Sequence, residues 1–405
     1  MRQAISKTEQ EVLERLTYLV GSPGTIAGMD ALPARPPFDE EILEFFNEVS
    51  RALLAGRSEY PDVVTFAFWI RKASTQSMKA RFVQEDGNIR FGRGTAFHIA
   101  PSNVPVNYAY SLAAGLLTGN ANIVRLPSKQ FPQVELINAR IAAVLENYPA
   151  LRPYICLVRY DRDREVNDLL SRLADMRIVW GGDATIAELR KSSLAPRAGE
   201  ITFADRCSLA VIDSDWYLEK ADRHRTSQDF YNDTFLTDQN DCTSPRIVVV
   251  LGDRKAEAKE AFWAALHEVV QVKYEFRPIQ GIDKLAKACL LAAEREDIQV
   301  QAHSDNLIVR VAVSSLNNAL LDHTGNSGYF LEYDCKDILE LHDLCGDSRC
   351  QTVAYVGEKG LLAPLLKTGL KGIDRVVPMG KTMDFDMFWD GYNLYGQLTR
   401  VIQMV

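Results

Sequence analysis

From Phe91 onward the chain alternates short β-branched runs with helical stretches, and this alternation limits the available folds more than any other feature. TAFHIA is followed by VNYAYSLAAGLLTG, ANIVRLP, a helical stretch around Val134 to Leu145, and MRIVWGG. A second series starts at SLAVIDSD (208–215) and passes through the helical DWYLEKADRHRTSQDFYND to RIVVVLG (246–252). Helical AEAKEAFWAALHEVVQV and the runs NLIVRVAV, QTVAYVG and DRVVPMG complete it. Such alternation builds parallel strands joined by crossover helices, with ligand-binding loops gathered at the strands' carboxyl ends. It predicts two α/β domains, residues 1–215 and 216–379, with residues 380–405 able to return to the first. A cleft between two such domains is the expected place for a site.

The first ~90 residues read as mostly helical. Pro36-Pro37-Phe38-Asp39 stops one segment and caps the next, where Ile42, Phe45, Phe46, Val49 and Leu53 recur at helical spacing and Gly56 stands at the C-cap position. RFVQEDGNIRFGRG (81–94) has the alternation and Asp-Gly turn of a hairpin.

Composition excludes several classes. A chain of 405 residues with 47% hydrophobic and 25% charged residues is ordinary globular protein that needs no covalent staples. Net charge is −8 and no Lys/Arg block occurs, so nucleic acid is not an expected partner, although an acidic chain can still hold a locally basic pocket. The N-terminus carries acids early and lacks a signal peptide's apolar stretch, and no run reaches the ~18 apolar residues of a membrane span. Seven cysteines, an odd number with no CxxC pair, argue against a disulfide framework or zinc knuckle and for a reducing cytoplasm. The six histidines show no metal-ligand spacing.

Four stretches could carry chemistry. In HIAPSNVPVNYAYSLAAGLLTG a strand ends at Pro101 and a helix begins near Pro105, so Asn103 either caps that helix or aims its amide into a cleft. The next strand delivers Arg125, followed by Ser128 and Lys129; these are either solvated charges or the ligands of a phosphorylated ribose. Gly181, Gly182 and Asp183 form either an ordinary βα turn or a turn holding a pyrophosphate. In TDQNDCTSPRIVVV the polar approach and Ser244-Pro245 put Cys242 in a loop at a strand start, as a small buried hydrophobe or as a nucleophile. His98 could face the cleft as an acid, or be a satisfied core histidine.

These stretches also carry a resemblance. APSNVP resembles the Pro-x-Asn-x-Pro turn of the aldehyde dehydrogenase superfamily, LLTGNANIVRLPS its Gly-Asn and Lys-Pro-Ser segment, and VWGGDATIAELR its cofactor-side glycine turn. DQNDCTSPRIVVV and the C-terminal GIDRVVPMGKTMDFDMFWDGYNL resemble the branch of fatty acyl-CoA or acyl-protein thioester reductases known from bacterial luminescence as LuxC. The similarity runs through most of the chain from about residue 90. It implies an aldehyde dehydrogenase-like α/β fold, with a dinucleotide-binding domain within 1–215 and a catalytic domain carrying the nucleophile within 216–379.

By the resemblance, Cys242 falls on the nucleophile and Asn103 on the oxyanion-hole amide. Arg125 falls on a lysine contacting the adenosine side of the cofactor, and Gly181, Gly182 and Asp183 on the turn near the pyrophosphate and nicotinamide. Ser128 falls where NAD-preferring relatives often carry a glutamate; with no carboxylate there and Arg125 and Lys129 close by, NADPH is the expected cofactor. The chain departs from acid-forming relatives at ITFADRC, where Thr202 replaces the glutamate that activates water. Glu332 is near the place of a later ribose-binding glutamate, with unmatched flanks. The expectation is NADPH-dependent reduction of an acyl thioester, acyl-CoA or acyl-protein, to an aldehyde through S-acyl Cys242. A homo-oligomer and an acyl-protein synthetase are implied as partners. An aldehyde dehydrogenase working toward acyl-CoA or acid, or a cysteine acyltransferase without a hydride step, are the alternatives.

Overall fold

Apolar residues at helical spacing build the N-terminal layer of the computed structural model, which describes residues 5–55, 59–83, 87–101 and 104–404. The Asp39 carboxylate accepts from the Glu41 N–H at 3.0 Å and caps helix Glu40–Leu54, whose Ile42, Phe45, Phe46, Val49 and Leu53 are all buried. Gly56, expected at the end of this helix, lies outside the described residues. Helices Pro61–Trp69 and Lys72–Phe82 pack against this helix, and helices Lys7–Glu14 and Pro23–Gly28 precede it in the chain. The strand β1 (Thr17–Val20) separates the last two, having found an antiparallel partner later in the chain.

The hairpin expected over 81–94 does not form. Arg81 and Phe82 end a helix that buries Thr75, Met78 and Phe82 at helical spacing. The strand β2 (Ile89–Gly92) instead pairs antiparallel with the C-terminal strand Thr399–Ile402. Local alternation could not reveal a partner from the other end of the sequence.

The strands β3 (Thr95–Ile99), β4 (Ala121–Arg125), β5 (Ile155–Arg159), β6 (Met176–Trp180) and β7 (Gly199–Phe203) join β1 in a six-stranded sheet of order β1-β5-β4-β3-β6-β7. Pairing is parallel except between β1 and β5. The chain moves outward from β3 to β5 and then crosses to β6 on the other side, which makes the carboxyl ends of β3 and β6 a topological switch point, where open α/β sheets bind ligands. Register aligns Ile99 with both Arg125 and Val179, and Val179 with Thr202, so these residues form one row at the carboxyl edge.

The chain divides into two compact units, Met1–Ala204 with Tyr392–Val405, and Asp205–Gly391. Both boundaries differ from those read in the sequence. The strand β8 (Cys207–Asp213), placed by the sequence reading before the 215/216 boundary, belongs to the second unit, because Leu209 pairs with Ile247 on one side and Val353 on the other. The return to the first unit begins at 392, not 380. Residues 380–391 stay behind, and the Gly380 and Thr382 N–H groups donate to the buried carboxylate of Asp233 at 2.6 and 3.1 Å.

In the second unit β8 is joined by β9 (Pro245–Leu251), β10 (Ile298–Ala302), β11 (Val309–Val313), β12 (Tyr329–Asp334), β13 (Cys350–Val356) and β14 (Arg375–Pro378). The seven-stranded order is β10-β11-β12-β9-β8-β13-β14, antiparallel only at β10-β11. Alternate residues serve two cores: Val211, Val249 and Leu331 pack into one, while Ala210, Val248 and Phe330 meet Phe262 and Trp263 in the other. β9 lies in the interior of this sheet. The turn that precedes it carries Cys242.

Candidate active site

A thiol can serve as a nucleophile only if the backbone holds it at the edge of the core, and the turn before β9 does so with side-chain clamps from three directions. Asp238 and Gln239 are both left-handed (φ 53° and 59°), a conformation that side-chain-bearing residues hold only when their surroundings impose it. Gln239 is fully buried; its Nε2 donates to the carbonyls of Pro245 (2.9 Å) and Tyr329 (3.2 Å), and its Oε1 accepts from the Gly328 N–H (3.0 Å). Asp238 accepts from the Tyr274 hydroxyl at 2.5 Å and from Gln280 at 3.2 Å. Ser208, on β8, donates to the Cys242 carbonyl at 2.7 Å and accepts from the Thr352 N–H at 3.3 Å, tying the turn to two strands.

Cys242 itself is half-buried. Its thiol is pushed up to about 12, chiefly by burial and then by the charges of Asp390 and Asp241, against a hydrogen bond from Gln351 and the charge of Arg246. The resting side chain is therefore a neutral thiol. Gln351, on β13 and fully buried, also donates through Nε2 to Asp390 Oδ1, while its own Oε1 has no hydrogen-bond partner. Asp390 is raised to about 6 by burial, opposed by Arg206 and Gln351. Among the other cysteines, 156, 207, 335, 345 and 350 are buried and Cys289 is exposed.

In the first unit Arg125 ends β4. Its guanidinium lies over the Tyr160 ring, 4.7 Å from the centroid, and donates to the Tyr160 carbonyl at 3.4 Å, but its buried Nε has no partner and no described carboxylate pairs with it. Ser128 and Lys129 follow, both exposed, with the Lys129 ammonium 5.0 Å from the Phe131 ring centroid. An unpaired guanidinium with an orphaned donor suits an anionic ligand, and so fits the phosphate-bearing side of a dinucleotide. Gly181 and Gly182 turn the chain from β6 into helix Asp183–Leu189, and buried Arg177 steadies that helix by donating to the Leu189 and Ser192 carbonyls at 3.0 and 2.8 Å. Arg125 and the glycine turn thus share the carboxyl edge of one sheet. Asn103 lies outside the described residues.

His98 is a core residue. The Trp180 indole donates to Ser111 (3.0 Å), Ser111 to His98 Nδ1 (2.7 Å), and His98 Nε2 to Asn122 Oδ1 (3.0 Å), a direction assigned from the Asn122 amide donating to the Asn120 carbonyl at 2.7 Å. Glu332 is buried in its own network, accepting from Trp263 at 2.5 Å and pairing with Arg310 at 3.1 Å and Lys259 at 3.3 Å. Thr202 stands half-buried on β7. Sequence reasoning missed Gln351 and Asp390: Gln351 sits in an apolar strand run and Asp390 in a turn signal, so neither carries a local sign of its effect on the thiol. Among the described residues no group of His, Cys, Asp and Glu is arranged to hold a metal, and no helix is long and apolar enough to cross a membrane.

Solved structures with this fold include aldehyde dehydrogenases. A NAD-dependent benzaldehyde dehydrogenase from Corynebacterium glutamicum superposes with a TM-score of 0.63 at 15% identity, covering 93% of this chain and 86% of that one. Aldehyde dehydrogenase 21 from Physcomitrella patens gives 0.67 at 14% identity, covering 94% and 88%. Two long-chain acyl-protein thioester reductases are similar in sequence. That of Aliivibrio fischeri is 23% identical over 293 residues, and that of Photorhabdus luminescens 23% over 309, or 71% and 73% of this chain. The matched regions span only 58% and 60% of those proteins' lengths. The model of the acyl-CoA reductase (LuxC) family matches residues 75–401, and with most of the chain so matched on an aldehyde dehydrogenase fold, the protein belongs to the acyl-CoA reductase (LuxC) family.

Proposed function

We propose that this protein reduces a fatty acyl thioester, acyl-CoA or acyl-protein, to the aldehyde, using NADPH and Cys242 as the acyl acceptor. The observation that carries the reading is Cys242 itself: a half-buried thiol on a turn clamped by Gln239 and Ser208. The sulfur attacks the thioester carbon, the thiol carrier leaves, and an S-acyl cysteine remains. The Cys242 backbone N–H and the Asn103 amide are assigned to the oxyanion. The cofactor, when bound, supplies the hydride that takes the acyl group to the aldehyde level. Arg125 and Lys129, cations without carboxylate partners among the described residues, would hold a 2′-phosphate, Ser128 leaves it unopposed, and Gly181, Gly182 and Asp183 would flank the pyrophosphate. Thr202 offers no carboxylate to activate water, which preserves the acyl group for hydride. The same reading includes a homo-oligomer and an acyl-protein synthetase as donor.

Purified protein given acyl-CoA of graded chain length should consume NADPH faster than NADH and release aldehyde, and Cys242→Ser should do neither. Turnover surviving in Cys242→Ser would overturn the mechanism. Loss of the preference for NADPH in Arg125→Ala combined with Lys129→Ala checks the cofactor assignment.

A further inference from the structure

Helix Pro278–Glu294 buries four residues along one face, Gln280, Lys284, Ala288 and Leu291, and the two nearer its N-terminus are polar. Spaced by four, Gln280 and Lys284 lie one above the other. Gln280 reaches the turn before β9 directly, through Asp238. Lys284 is 2% exposed, and its ammonium donates to the carbonyls of Asn306 (2.6 Å), Leu307 (3.0 Å) and Ser327 (2.8 Å). No described carboxylate is bonded to it; Asp305 favours its charge without a hydrogen bond. Burial lowers this ammonium to about 8, yet a neutral amine has two N–H groups for three carbonyls, so the charged form is the one the cage fits.

An apolar side chain would fill that place without the cost of burying a charge. What the charge holds is strained backbone. Asn306 and Ser327, two of the three residues whose carbonyls it binds, are left-handed (φ 55° and 57°). They connect to the left-handed Asp238 and Gln239: the Ser327 N–H donates to the Asp238 carbonyl at 3.0 Å and the Gly328 N–H to Gln239 Oε1 at 3.0 Å. Gly328 has φ 88°, and a Cβ on it would stand 2.4 Å from the Leu307 carbonyl oxygen, so these segments meet backbone to backbone. Six described non-glycine residues have positive φ, and these four belong to one hydrogen-bonded cluster. Strain so concentrated persists only where the surroundings over-determine it. Three carbonyl oxygens gathered on one point repel one another unless a cation sits between them.

We propose that Lys284 is a positioning residue for the Cys242 turn, a tethered monovalent cation whose ammonium gathers the Asn306, Leu307 and Ser327 carbonyls and so fixes Ser327 and Gly328 against Asp238 and Gln239. The role deepens the acyl-thioester reading, on which it rests, because there the turn must hold the sulfur still against the thioester carbon. It is a role of charge and not of volume. Lys284→Met fills the space and gathers nothing. Lys284→Ala empties it, and a free ammonium ion, with the same N–H donors, takes the vacated place.

The test is hydrogen exchange, read by mass spectrometry on peptides covering 235–245, in full-length protein without cofactor or acyl donor. Lys284→Met and Lys284→Ala should each exchange there about tenfold faster than the parent, with peptides of β3 and β4 unchanged. Ammonium chloride should return Lys284→Ala toward the parent rate. Tetramethylammonium chloride at the same concentration, which has no N–H, should not, and Lys284→Met should respond to neither salt. Parent-like exchange in both variants, or equal effects of the two salts on Lys284→Ala, overturns the proposal. Should Lys284→Ala not fold in either salt, Lys284→Met decides alone: faster exchange sustains the proposal and parent-like exchange overturns it. In the acyl-CoA assay kcat of Lys284→Met should fall about tenfold at unchanged KM for NADPH, whose proposed ligands stand in the first unit; an unchanged kcat overturns the positioning role. Absence of turnover in the parent protein, with the exchange results as expected, strikes the reductase reading alone.

Discussion

Burial drives Cys242 and His98 the same way, toward the uncharged form, with opposite consequences. For Cys242 the neutral form is unreactive, so a proton acceptor must be found. For His98 it is simply the native form, held by Ser111 and Asn122, with the pKa lowered to about 4. The unfolded chain protonates this histidine at about 6.5 and the folded chain resists, so its contribution is complete above about pH 6.5 and falls as pH drops toward 4, by on the order of 3 kcal/mol. Urea midpoints should therefore decline between pH 7 and pH 5, and His98→Gln should decline less; an unchanged decline in that variant would remove His98 as the cause. A histidine on the strand leading to a proposed site resembles a catalytic acid in sequence, and only the buried partners of His98 identify it as structural.

At the scale of elements, the two family-like turns are held by side chains whose local sequence reads as loop. Gln239 stands beside polar neighbours, yet its three side-chain hydrogen bonds reach β9, β12 and the Gly328 N–H. Asn120 acts likewise in the first unit, accepting from the N–H groups of Arg93 and Gly94 at 2.7 and 3.2 Å and donating to the Leu398 carbonyl at 3.0 Å. Its neighbour Gly119 is left-handed (φ 85°), and a Cβ there would stand 2.1 Å from the Arg35 carbonyl oxygen. Gly119→Ala should lower the unfolding free energy by more than about 1 kcal/mol, read by chemical denaturation. A cost near zero would mean that the backbone at 35 yields freely.

At the scale of the molecule, the second unit is one continuous stretch, while the first is closed by a segment from the far end of the chain. Residues 205–391 contain a whole seven-stranded sheet with core on both faces, and expressed alone they should unfold cooperatively. Residues 1–204 alone lack the strand Thr399–Ile402 that pairs with β2 and the Leu398 carbonyl that receives Asn120, and should melt lower than the same residues supplied with 392–405. Coincident melting of the two forms would count against a closing role for the C-terminus. The two α/β series, the capped helix at Asp39 and the loop position of Cys242 were all legible, because each depends on residues adjacent in sequence. The placement of β8, the partner of β2 and the return at 392 were not, because a strand's own pattern does not say which sheet completes its hydrogen bonds. So it is with the site. Sequence alone determined which chemistry-bearing residues exist and which short turns present them; the tertiary structure decided that Gln351 is bonded to Asp390, that Glu332 is paired and that His98 is core, since charge, burial and hydrogen bonding are properties of neighbours in space.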